Sequence, residues 1–179
     1  MMEIEALIEE ALATGFSHAA KLKTDTLRFL PEVRDMCSAD RCHNYNKCWT
    51  CPPACGTLEE FEAKARRFQQ GIIVQSVGRI EDSFDIESMQ ALEKQHTKNF
   101  EKLVLRLRSR SLNFLALGAG GCTICETCSY PDEPCRFPDR AVTSMEASGL
   151  WVSDVCEKNG VEYNYGPNRM AYTSCILVE

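Results

Sequence analysis

The cysteines of this chain are concentrated in two short segments, and this grouping limits what the chain can fold around. Nine of the eleven cysteines lie in residues 36–56 and 120–138. Such grouping is typical of metal sites, redox chemistry or disulfide frameworks, and chance is a further alternative. The first question is therefore which of these the two segments form.

A disulfide framework is the least favoured alternative. The N-terminal stretch MMEIEALIEEALATG is acidic and helical in pattern, and it has neither the basic region nor the apolar region of an export signal. The sequence thus predicts a cytoplasmic protein, in which thiols are kept reduced. An odd number of cysteines also cannot pair completely within one chain.

Length and charge narrow the class of protein. A chain of 179 residues can bury roughly 70% of its unfolded surface, so we expect one metal-binding domain over residues 1–179 that folds without cross-links. The net charge of -6, without a clustered basic face, argues against nucleic-acid binding. No apolar run approaches the roughly 18 residues that a membrane span requires.

Hydrophobic periodicity predicts alternating strands and helices. The pattern Thr57-x-x-Glu60 is a capping box, which predicts that a helix begins at the end of the first cysteine segment. A long helix is expected over about residues 85–111. The other expected elements are an N-terminal helix, a helix from Val142 to about Asn159, and strands at 16–22, 25–30, 72–80, 113–120, 161–166 and 172–178.

These elements predict an α/β fold in which a sheet is flanked by helices. Both halves of the chain show one order: an extended segment, a cysteine loop that ends in proline, a helix, a glycine and a strand. This order is compatible with two β-loop-α-β half-units joined by the long helix, and equally with an ordinary α/β chain. In either case both cysteine loops follow a strand and precede a helix, so we expect them at one edge of the sheet.

The second cysteine segment favours an iron–sulfur cluster. Cys122, Cys125 and Cys128 form an overlapping Cys-x2-Cys-x2-Cys pattern, whereas zinc sites commonly use two separated Cys-x2-Cys pairs. Three thiolates this close together suit a cubane cluster, with Cys135 as the fourth ligand, although its spacing differs from that of bacterial ferredoxins. Zinc remains the alternative.

The first cysteine segment has more thiols than one cluster needs. Its five cysteines face at most four irons, so at least one is spare or serves another metal. Cys37, Cys42, Cys48, Cys51 and Cys55 are all candidate ligands at this point. His43 is more simply a surface residue than a ligand, and Trp49 either covers the metal or packs in the loop.

Together the two segments resemble a family of small prokaryotic proteins, domain of unknown function 2284, described as predicted metal-binding proteins. The resemblance rests on Cys37 and Cys42 followed by W-x-CPP-x-x-G at 49–56, and on GCTICETC, PCRFP and SMEASG within 121–149. It extends from about residue 16 to the end of the chain and implies metal binding, through iron–sulfur clusters, without an established reaction. The family pattern matches Cys37, Cys42 and Cys51, which the resemblance implies as ligands, and departs from this sequence at Cys48 and Cys55. We predict Cys48 as the fourth ligand, because Cys48 and Cys51 repeat the spacing of Cys122 and Cys125, with Cys55 as the spare.

Two charged residues of the matched motif are candidate site residues. Arg136 stands beside a predicted ligand and could donate hydrogen bonds to cluster sulfur or fix an anionic partner. Glu146 could act as a general acid or base, although a single carboxylate is more often a surface or capping charge. No Ser/His/Asp or Cys/His order has a recognisable catalytic spacing.

The leading hypothesis is a cytoplasmic protein with one or two [4Fe-4S] clusters that passes electrons to or from a redox partner protein. The second is an enzyme whose cluster has one iron that no cysteine binds, so that catalysis takes place at that iron. The third is a zinc-stabilised interaction module. The sequence leaves open whether the chain is an enzyme and what its oligomeric state is.

Overall fold

The structure is a computed structural model that describes residues 3–179. Its helices and strands alternate along the chain. The helices are α1 (Ile4–Thr14), α2 (Pro31–Cys37), α3 (Leu58–Ala65), α4 (Ile86–Ser109) and α5 (Val152–Lys158), and a short 3-10 turn covers Thr24–Thr26. The strands are β1 (His18–Lys23), β2 (Gln70–Arg79), β3 (Phe114–Leu117) and β4 (Arg169–Val178).

The four strands form one antiparallel sheet in the order β1-β2-β4-β3. The two ten-residue strands β2 and β4 lie at the centre and pair over their whole length, from Gln70 opposite Val178 to Arg79 opposite Arg169. Gly71 is required at the centre of the sheet, because a Cβ atom there would overlap the carbonyl oxygen of Ile176.

Helices cover both faces of the sheet. Neighbouring strand residues point to opposite faces, so Ile72 packs with α1 and α4 whereas Ile73 packs with α3 and α5. The core on the first face includes Leu7, Phe100, Leu103, Leu107 and Ile176. The core on the second face includes Phe61, Met145, Leu150, Val155 and Leu177. The predicted α/β class, a sheet flanked by helices, is confirmed.

Each half of the chain has the predicted order of strand, cysteine loop, helix and strand. The strands within each half are antiparallel, and β1 and β3 run in opposite directions. The two cysteine loops therefore leave opposite ends of the sheet. The first loop reaches the second because α2 and the turn before it carry the chain across one face, where Phe29 forms a bridge with Leu150.

Three predicted elements differ from the structure. The expected strand at 25–30 is reduced to the Phe29 bridge, since α2 begins at Pro31. The expected helix from Val142 begins only at Val152, because residues 144–150 form a buried turn tied to Gly118 and Leu30 by backbone hydrogen bonds. Residues 161–166 are not a strand, because both edges of β2 are already occupied. None of the helices within residues 3–179 is both long and apolar enough to cross a membrane.

Candidate metal centre

The two cysteine segments are about seventy residues apart in sequence and contact each other in the fold. The indole Nε1 of Trp49 donates a hydrogen bond to the carbonyl oxygen of Glu133 over 3.0 Å. The hydroxyl of Tyr130 donates to Oδ1 of Asn46 over 2.8 Å, and the Trp49 and Tyr130 rings meet edge to face at 4.9 Å. These contacts join the loops on the side away from the sheet.

The first segment is a series of tight turns after α2. The amide of Cys51 donates to the carbonyl of Cys48, and the amide of Cys55 donates to that of Cys51, both over 3.1 Å. Of these three thiols, Cys48 and Cys51 line different cavities and Cys55 lines neither. His43 has a positive φ of 59° and an exposed side chain, and it lines neither of the cavities described below.

Thiols from both segments line one cavity of about 220 Å³, which we name the second cavity. The four cysteines of the second segment surround it, and Cys48 of the first segment joins them. Trp49 and Arg136 also line this cavity. Arg136 is exposed, and its guanidinium donates to the carbonyl of Thr127 over 2.9 Å, which ties the loop across the cavity.

A neighbouring cavity of about 250 Å³, which we name the first cavity, is lined by Cys37, Cys42, Cys51 and Glu146. Its opposite wall is formed by the backbone of Gly120 and Gly121. A side chain at Gly121 would overlap the amide of Asn44, so a glycine is needed for the loops to close on each other.

Cys48 lies between the two cavities. Its side chain is buried, with 3% of its surface exposed, and its sulfur lies 3.3 Å from the hydroxyl of Thr50. Hydrogen bonds from the thiols of Cys122 and Cys51 lower the pKa of Cys48. The same bonds raise the pKa values of Cys51 and Cys122. One thiol thus contacts a cysteine of each cavity.

Glu146 faces the first cavity from the buried turn. The residue is exposed, and the groups packed around its carboxyl group raise its pKa by partial desolvation, an effect opposed by hydrogen bonds that include one from Ser144. Burial also raises the pKa of Cys37, and the nearby negative charges of Cys42 and Glu146 raise it further. The Glu146 carboxylate and the Cys37 thiol are therefore close enough to interact electrostatically.

Cys55 lines neither cavity, although its charge acts on the thiols of Cys37 and Cys51. Its sulfur lies 3.6 Å from an Nη atom of Arg34, which also donates to the carbonyl oxygen of Gly56, and 4.0 Å from the carbonyl oxygen of Ala147. No pattern in the sequence identified Arg34, which belongs to α2, a helix that the sequence did not predict.

All eight cysteines predicted as ligands line one of the two cavities. Cys48 lines the second cavity, however, and not the one that holds Cys37, Cys42 and Cys51. Within residues 3–179, no group of three His, Cys, Asp or Glu side chains converges closely enough to hold a metal ion. The ligand set therefore stays a prediction, and the thiols form the walls of two spaces larger than one ion.

Comparisons with known proteins bear on this pair of cavities. Neither the comparison with curated proteins nor the comparison with solved structures gave a match. A family model described as predicted metal-binding protein matches residues 20–178, which include both cysteine segments and the turn that holds Glu146. Since this match spans nearly the whole chain, the protein belongs to the metal-binding family named domain of unknown function 2284.

Proposed function

We propose that this protein is a cytoplasmic iron–sulfur protein that holds two [4Fe-4S] clusters and transfers electrons to or from a partner protein. The observation that carries the proposal is the pair of neighbouring cavities walled by cysteine thiols. An iron–sulfur cluster supplies one-electron transfer when it is bound.

The size and lining of the cavities support clusters over single zinc ions. A water molecule needs about 10–15 Å³ measured in the same way, whereas each cavity offers more than 200 Å³. A tetrahedral zinc ion instead draws its sulfur ligands to about 2.3 Å from one point. Thiols on the walls of a wide space suit a polynuclear cluster better than a single ion.

The position of Cys48 supports electron transfer between the two centres. Cys48 lines the second cavity and Cys51 lines the first, and the two residues are joined by one turn in which the amide of Cys51 donates to the carbonyl of Cys48 over 3.1 Å. Two clusters held by these residues would be separated by little more than their own ligands. Trp49 lines the second cavity and its ring packs against Tyr130, and such apolar surroundings limit the access of water, which affects the reduction potential of a cluster.

Protein purified without oxygen tests the proposal. We expect a brown protein that bleaches on reduction and contains iron and inorganic sulfide in similar amounts. Replacing Cys125 with Ala should remove about half of the iron, because it removes a ligand of one cluster of two. Cys175→Ala is the matched control, since Cys175 is buried in β4 and lines neither cavity.

Two results would contradict the proposal. A colourless protein that contains zinc and no sulfide would favour the zinc-stabilised module. Iron and sulfide contents that are the same in Cys125→Ala as in the unmodified protein would exclude the second cavity as a cluster site.

A further inference from the structure

The first cavity has three thiols on its wall, one fewer than a cluster closed by cysteines needs. Cys48 is the nearest further thiol in the loop, but it faces the other cavity. Its buried sulfur lies 3.3 Å from the hydroxyl of Thr50, which lines the second cavity as well, and neither residue lines the first.

Cys55 is held behind the wall of the first cavity. Arg34 lies against its sulfur and binds the carbonyl of Gly56, so α2 fixes this part of the loop. The Cys55 side chain also packs against the core on the second face of the sheet. These contacts are those of a structural thiol.

Glu146 occupies the position that a fourth ligand would need. It lines the first cavity together with Cys37, Cys42 and Cys51, and its charge acts on the Cys37 thiol. Its backbone is fixed, because the amide of Ala147 donates to Oγ of Ser144 over 3.1 Å and the hydroxyl of Ser148 donates to the carbonyl of Met145 over 2.7 Å. The turn that carries Glu146 is therefore fixed, and its side chain lines the same cavity as the three thiols.

We propose that Glu146 supplies the fourth ligand of the first cluster, in place of a cysteine. The inference rests on the proposed function and assigns different tasks to the two centres. Carboxylate oxygens bind iron in protein sites with open positions, and a single carboxylate oxygen exchanges more easily than a thiolate. The iron beside Glu146 is then the position at which a small oxygen- or sulfur-donor ligand binds, whereas the second cluster is enclosed by thiols and carries electrons.

Controlled oxidation of the complete, cluster-loaded protein tests this assignment. Treatment with ferricyanide should remove the iron that lacks a thiolate ligand, lowering the iron content from about eight to about seven per chain. Paramagnetic resonance should then show one three-iron cluster per chain. In Glu146→Cys the new thiolate should retain this iron and reduce the three-iron signal at least tenfold. Cys55→Ser is the matched control and should convert like the unmodified protein.

A second variant covers the case in which Glu146→Cys does not fold. Glu146→Gln keeps the shape of the side chain but offers a weaker, neutral ligand, so it should lose the same iron during purification, before oxidant is added. Its circular dichroism spectrum should match that of the unmodified protein.

The outcomes separate this inference from the proposed function. Three results would overturn the role of Glu146 and still leave an iron–sulfur protein. These are an unmodified protein that keeps all its iron under ferricyanide, a Glu146→Cys protein that converts to the three-iron form as the unmodified protein does, and a Cys55→Ser protein that loses the first cluster. A protein without iron and sulfide would overturn the proposed function and the inference with it.

Discussion

His96 makes the stability of the protein depend on pH. His96 belongs to α4, and its imidazole lies against the two central strands, with 1% of the residue surface exposed. Its Nδ1 lies 2.9 Å from the hydroxyl of Ser76 on β2, and its Nε2 lies 2.7 Å from the hydroxyl of Ser174 on β4. Burial lowers the pKa of His96 from 6.5 to about 4. The folded protein therefore holds this histidine in its neutral form.

The sign and size of the effect follow from this lowered pKa. The unfolded chain binds a proton below pH 6.5 whereas the folded chain does so only near pH 4, so the free energy of unfolding falls as the pH falls through this window. The complete effect is about 3 kcal/mol, because one unit of pKa corresponds to about 1.4 kcal/mol. Between about pH 7.5 and about pH 5 the expected loss from His96 alone is about 2 kcal/mol.

Denaturant unfolding of metal-free protein at these two pH values, followed by circular dichroism, measures the effect. His96→Gln cannot titrate, so its loss of stability on acidification should be smaller than that of the unmodified protein by about 2 kcal/mol. His18→Gln removes an exposed histidine and should leave the pH dependence unchanged. Equal pH dependence in His96→Gln and the unmodified protein would refute the reasoning.

Three further predictions follow from the fold. Gly71→Ala should lower the free energy of unfolding by about 2–4 kcal/mol, because the added Cβ meets the backbone of β4. In the control Gly118→Ala the added Cβ would lie 3.6 Å from Val142, so the free energy of unfolding should change by less than about 1 kcal/mol. Equal effects of the two substitutions in denaturant unfolding would contradict this prediction. Thr57→Ala removes the hydroxyl that accepts from the amide of Glu60, one of the two hydrogen bonds of the capping box at α3, and should cost about 1 kcal/mol; an unchanged unfolding midpoint would count against it. Removal of metal should increase hydrogen exchange first in residues 36–56 and 120–138 and only later in the strands of the sheet. Simultaneous loss of protection in β2 and β4 would show that the metal also stabilises the core.

Local signals in the sequence were sufficient for several elements of the fold. The capping box at Thr57 and Glu60 is present at the start of α3, because its hydrogen bonds are made within one turn. The apolar stripe of α4 is buried as its spacing predicts, at His96, Phe100, Leu103 and Leu107. These features depend on residues that are close together in sequence.

Features that depend on distant residues could not be predicted in this way. Val142, Met145 and Gly149 have helical spacing, yet long-range bonds from Gly118 and Leu30 hold this segment as a turn. The equal spacing of Cys48–Cys51 and Cys122–Cys125 suggested that Cys48 and Cys51 share a site. Their assignment to different cavities depends on the tertiary position of Cys122, which no local pattern reports.

The construction of each cavity from both segments has a consequence for the order of events during synthesis. Cys135 follows Cys48 by 87 residues, which a ribosome adds in roughly 4 to 17 seconds. During this interval the thiols of the first segment have emerged without the loop that completes either cavity. If the protein holds the proposed clusters, their delivery must wait until the chain has been made to about Glu146, and the early thiols need a reducing environment until then.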